Sequence, residues 1–88
     1  MTTLPLPARL THTEAQACLL ALQQQAGPGG DLVVDASALD DFDSAALATL
    51  LALRRWAQAQ GRSLRVQRVP ARLAELVSLY GVAELLPS

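Results

Sequence analysis

The side chains able to do chemistry gather in one short stretch. Asp40, Asp41 and Asp43 lie almost side by side, and Ser44 follows directly. Ser44 also opens an Ala- and Leu-rich run to Gln60 whose apolar spacing predicts a helix. One hydroxyl and three carboxylates therefore sit beside a helix N-terminus, at the surface, where a partner can read them. Asp-Ser is also the pair that capping alone selects there, so the Ser44 hydroxyl reads first as a cap. Catalytic companions are missing. His12, the single histidine, is remote in sequence and reads as unpaired, which leaves no Ser–His–Asp set. Gly27-Pro28-Gly29-Gly30 lacks a following Lys-Ser/Thr and precedes a strand, so it is not a phosphate loop. The three aspartates lack the further ligands of a calcium loop. Cys18 stands alone in the apolar run Ala17–Leu20, which excludes an internal disulfide and reads as a small buried side chain rather than a reactive thiol. The chain is read as a non-enzyme with no metal and no cofactor.

The elements that would position these residues follow from the pattern around them. Thr3–Leu10 alternates, with Pro5 and Pro7 placing both missing N–H groups on one side, so it fits an edge strand and not a central one. Thr11 and Glu14 have the spacing of a capping box, and a helix should follow with Ala15, Cys18, Leu19 and Leu22 on its apolar face. The Gly27–Gly30 segment stops it. Asp31–Ala36 is a short apolar run, expected as a central strand buried on both faces. Residues 37–43 form the acidic loop, Ser44–Gln60 the long helix and Gly61 its C-terminal stop. Ser63–Val69 reads as a strand with Leu64, Val66 and Arg68 on one face. Pro70 starts a helix striped by Leu73, Leu76, Val77 and Tyr80, ended by Gly81, and Val82–Leu86 is expected to pack on the core. Strands alternating with crossover helices imply an α/β fold with a mainly parallel sheet of about four short strands.

Bulk composition narrows the function. Eighty-eight residues make one domain, and 51% of them are hydrophobic with only three aromatics, so the core is aliphatic. A net charge of −1 gives no nucleic-acid footprint and no polybasic membrane patch. No apolar run reaches the roughly 18 residues that span a bilayer, and the N-terminus lacks the pattern of a signal peptide, so a cytoplasmic location without membrane insertion is expected.

The long helix is unusual on its outer side. Ala46, Leu50, Leu53 and Ala57 fall on one face, the expected core face. Opposite them lie Ala45, Ala48, Thr49 and Ala52, ending at Trp56. Two readings stand: alanine is favourable in any helix, or a flat strip ending in a tryptophan is a docking face.

These residues resemble the STAS domain family, shared by anti-sigma-factor antagonists and the cytoplasmic tails of sulfate transporters. The resemblance rests on Leu32-Val33-Val34-Asp35, Asp43-Ser44-Ala45-Ala46-Leu47, Leu50-Leu51, Gly61 and Leu64-Arg65-Val66, and covers residues 10–88. The closing stretch, Leu73 to Leu76 and Leu79 to Pro87, looks most like the small STAS subunit of the Mla phospholipid-transport ABC complex. That resemblance implies a partner, the cytoplasmic ATPase of such a complex, and a position peripheral to the inner membrane through it. The implied contact is Asp41, Asp43, Ser44, Thr49, Ala52, Arg55 and Trp56. In the antagonists the residue at Ser44 is the phosphorylation site, which implies the alternative of a serine kinase and anti-sigma-factor partner. A phosphate there would gain from the free N–H groups of the helix start and would be repelled by Asp40, Asp41 and Asp43. Two departures stand out. Ala46 occupies the usual glycine position. The family usually begins with two strands, whereas about ten residues precede the first helix, so the sheet is expected to be short of an N-terminal strand, leaving an edge for a partner or a second copy.

Overall fold

The computed structural model describes residues 2–80. Its elements run β1 (Thr2–Pro5), β2 (Arg9–Leu10), α1 (Ala15–Ala26), β3 (Leu32–Asp35), β4 (Asp41–Phe42), α2 (Ser44–Ala59), β5 (Leu64–Gln67) and α3 (Ala71–Leu79). All described strand pairs are parallel. β3 lies between β1 and β5, and β2 pairs with β4 in a separate two-stranded piece. The first ten residues, expected to be short of one strand, hold two. β4 falls inside the stretch expected to be loop. Both β2 and β4 are two residues long, too short for a period-two pattern to register.

One face of the sheet makes the core. Leu4, Leu32, Val34 and Val66 are fully buried and join Leu22 of α1, Leu50 and Leu53 of α2, and Leu73 and Val77 of α3 in one apolar cluster. The register sets Thr3, Val33 and Arg65 side by side on the opposite face, where Thr3 and Arg65 are exposed. β3 is buried from Leu32 to Val34 as expected of a central strand.

The edge reading of the N-terminal strand has a hydrogen-bond basis. The Thr2 N–H donates to Asp31 O at 3.1 Å and the Leu6 N–H to Asp35 O at 2.9 Å. In a parallel ladder alternate residues face the same neighbour, so positions 3, 5 and 7 point away from β3. Two of those three are prolines, Pro5 and Pro7.

The helix ends differ in detail from the sequence reading. The Thr11–Glu14 box is half formed: the Glu14 carboxylate accepts from the Thr11 N–H at 3.0 Å and from its hydroxyl at 2.7 Å, in a turn that precedes α1. Arg68 leaves the strand with φ 56° instead of continuing its face. Tyr80 is exposed rather than part of the α3 stripe, because the helix ends at Leu79 and Tyr80 is its C-cap. The expectations for Gly81 and Val82–Leu86 lie outside the described residues.

Candidate functional site

The start of α2 is built by Asp43. Its backbone is extended (φ −127°, ψ −165°), and Oδ1 accepts from the Ala45 N–H at 2.8 Å. Asp43 is therefore the cap, and Ser44 is the first helical residue. This corrects the reading of Ser44 as the capping hydroxyl: the two adjacent residues compete for one role, and the carboxylate has it. Ser44 is exposed, and among the described residues its hydroxyl makes no hydrogen bond. The Ala45 N–H bond, followed by contacts to His12, holds the Asp43 carboxyl below the usual carboxylate range.

His12 is not isolated. Its Nδ1 and its backbone N–H both lie 3.4 Å from Asp43 Oδ2, although 31 positions separate them in sequence. The fold thus sets a histidine, an aspartate and a serine at one corner. The His12 side chain is 84% exposed, and no hydrogen bond joins it to Ser44. The corner is a solvated contact between the turn before α1 and the start of α2, without the shielding that proton relay requires. Beside it, Arg9 lies 3.4 Å from Glu14 and 3.8 Å from Asp41, both exposed pairs of small energetic weight.

Along α2 the expected site residues divide. Ser44, Ala48 and Arg55 are exposed, and Ala52 and Trp56 are half-buried. Spacings of four, four and three from Ser44 through Ala48 and Ala52 to Arg55 place that line on one helix face. Thr49 is only 4% exposed, and its hydroxyl donates to Ala45 O at 2.8 Å. The helical wheel set Thr49 opposite the core, but α1 packs against that flank and covers it. Ala15, Gln16 and Leu19 of α1 and Ala48, Thr49 and Ala52 of α2 line a shallow, almost wholly apolar groove of about 340 Å³. Small side chains are what allow the two helices to approach and leave the groove open.

Trp56 ends the strip, packed partly against the core. The Arg62 guanidinium carbon sits over its ring, 5.6 Å from the centroid. Arg62 itself is 5% exposed. Nothing in the sequence reading singled it out, because an arginine next to a strand ordinarily reads as solvated.

Elsewhere chemistry is sparse. Cys18 lines an open groove of about 460 Å³ with Pro5, Leu6, Pro7 and Leu22, and burial pushes its thiol up, away from the reactive thiolate. Among the described residues no three His, Cys, Asp or Glu side chains cluster as a metal site.

A protein-family profile described as "Mlab, STAS domain" matches residues 2–87. The chain belongs to the STAS domain family. No curated protein gives a significant match to it. STAS domains of this type are in general non-catalytic. In this STAS domain Ala46 takes the usual glycine position without distortion. It is fully buried within regular helix, and its N–H donates to Asp43 O at 3.0 Å. No described helix is long and apolar enough to cross a membrane.

Proposed function

We propose that this STAS domain is a non-catalytic subunit that binds the cytoplasmic ATPase of an Mla-type phospholipid-transport ABC complex and supports its assembly or activity, at the inner membrane through that partner. The match of residues 2–87 to the Mlab-type family carries the reading. The α2 surface supports it: an acidic, capped helix start at Asp41, Asp43 and Ser44, a shallow apolar groove past Ala48 and Ala52, then Arg55 and a half-buried tryptophan. This is the anatomy of a docking patch, with an aromatic anchor and a polar rim. Thr49 acts within it by shaping the groove floor.

Co-purification with the cognate ATPase tests the proposal. Trp56→Ala should weaken binding by about 2 kcal/mol or more, and Ser44→Glu should abolish it by adding charge to an already acidic rim. Both variants should stay folded by circular dichroism. Undiminished capture by the two variants would refute the assignment.

A second reading is favoured by one observation, the exposed Ser44 hydroxyl, which makes no hydrogen bond among the described residues. In it the domain is an anti-sigma-factor antagonist and a serine kinase phosphorylates Ser44. Mass spectrometry after incubation with such a kinase and ATP distinguishes it: phosphate on Ser44 supports this reading, and its absence removes it.

A further inference from the structure

We infer that Arg62 is a positioning residue for the docking surface. It fixes the Trp56 indole in its binding-ready orientation from beneath, without touching the partner. The inference rests on the reading that Trp56 anchors the ATPase contact.

Arg62 is held unusually firmly. A guanidinium has five N–H donors, and all five have acceptors. Nε donates to Gly30 O at 2.7 Å, one terminal nitrogen to Gly27 O at 3.0 Å and Gln60 Oε1 at 3.3 Å, and the other to Ala26 O and Gly29 O, both at 3.0 Å. No carboxylate is among them. Four main-chain carbonyls, from the last residue of α1 and the loop after it, solvate the cation in place of water. The loop can converge its carbonyls because Gly27, Gly29 and Gly30 all take positive φ, and Gly27 at φ 63°, ψ −171° occupies a region that is essentially glycine-only.

The end of α2 aims the side chain. Gly61 is left-handed at φ 71°. Its N–H donates to Gln58 O, and the Arg62 N–H donates to Ala57 O, each at 3.0 Å. That pair of bonds is the Schellman motif, which folds the chain back over the last helical turn. Arg62 is thereby returned over Trp56, six positions earlier.

The consequence is preorganisation. A half-exposed indole has free rotamers that must be frozen on binding. Stacked on a cation that five hydrogen bonds immobilise, it has lost much of that freedom in advance. Arg62 is 5% exposed, so it offers a partner almost no surface. An effect of Arg62 on binding is then indirect, and Trp56 emission distinguishes a route through the indole from one through the carbonyl loop.

Trp56 is the only tryptophan, so the domain's indole emission comes from this ring alone. The test compares Arg62→Lys with Trp56→Ala. Lysine keeps the charge but cannot fill the carbonyl cage or present a plane to the ring. In a folded Arg62→Lys domain, Trp56 emission should shift and affinity for the ATPase should fall about tenfold. A folded Arg62→Lys domain with native emission and native affinity overturns the inference. If Arg62→Lys does not fold, the native domain decides through 15N relaxation of the Trp56 indole N–H. The indole should already be rigid in the free domain and gain little order when the ATPase is added, and an indole that is mobile in the free domain overturns the inference. Trp56→Ala separates the two claims. Native affinity in Trp56→Ala refutes the docking reading itself, whereas lost affinity there with native affinity in Arg62→Lys refutes only the positioning role.

Discussion

Asp43 does two things at once, and they can be separated by substitution. It caps α2 through the Ala45 N–H and draws in the turn before α1 through His12. Asparagine caps helices as well as aspartate. Asp43→Asn should therefore keep most of the stability that Asp43→Ala loses, seen as a higher urea midpoint for the asparagine variant at neutral pH. Acid should separate the domain from its variants too. Hydrogen bonds depress the carboxyl of Asp43 (to Ala45), Glu14 (to Thr11), Asp31 (to Ser63) and Asp35 (to Ser37) below their ordinary values. A group with a depressed folded value stabilises above its unfolded value and loses that contribution as pH falls through the folded one. The urea midpoint should stay level from neutral pH down to about 5 and decline below about 4, the unfolded carboxylate range. A midpoint that rises on acidification would contradict this. At this scale the sequence was informative about residue types and ambiguous about roles. The acidic loop and Ser44 stood out, but Asp43 and Ser44 are both good caps, and only backbone geometry assigns the task. The His12 contact was invisible, since nothing local links two residues 31 positions apart.

The helices show why local patterning succeeds on one side of an element and fails on the other. Ala46, Leu50, Leu53 and Ala57 were legible as the core face of α2 because the sheet they cover imposes a single, wide apolar stripe. Thr49 was not, because its burial comes from α1, a neighbour whose position depends on the whole topology. Arg62 was missed for the opposite reason: its charge argues for solvent, and only the carbonyls of a distant loop make burial tolerable. Two variants probe these elements. Leu53→Ala removes a fully buried side chain at the centre of α2 and should cost about 2–5 kcal/mol in chemical denaturation. Gly27→Ala tests the loop. Nothing lies within 4 Å of where its Cβ would be, so the expense is backbone strain alone, about 1–3 kcal/mol. If that variant proves as stable as the parent, the carbonyl cage does not depend on the glycine conformation.

Over the whole molecule, the parallel order was readable from alternating strands and helices, whereas the split into two sheets was not, because two-residue strands leave no period. The sheet's outer edges follow the same logic of hydrogen-bond direction. On the β5 side the ladder is four residues long and is cut off where Arg68 turns to positive φ. On the β1 side the chain runs on from Thr3 to Pro7, and its outward positions carry two prolines with no N–H to offer. A strand laid against β1 would find a donor at Thr3 and none at positions 5 or 7. The sequence reading left this edge open to a second copy, but the direction of the ladder makes it a poor template for one. Restoring the donors should reverse that. The double variant Pro5→Val, Pro7→Val gains two outward N–H groups and two β-branched side chains on an exposed edge. It should show concentration-dependent association in sedimentation equilibrium under conditions where the native domain remains monomeric. Should the native domain itself dimerise, and the double variant dimerise no more tightly, the prolines are not what guards the edge. Self-association would then have to run through another surface, with the α1–α2 groove the first to test by its effect on ATPase binding.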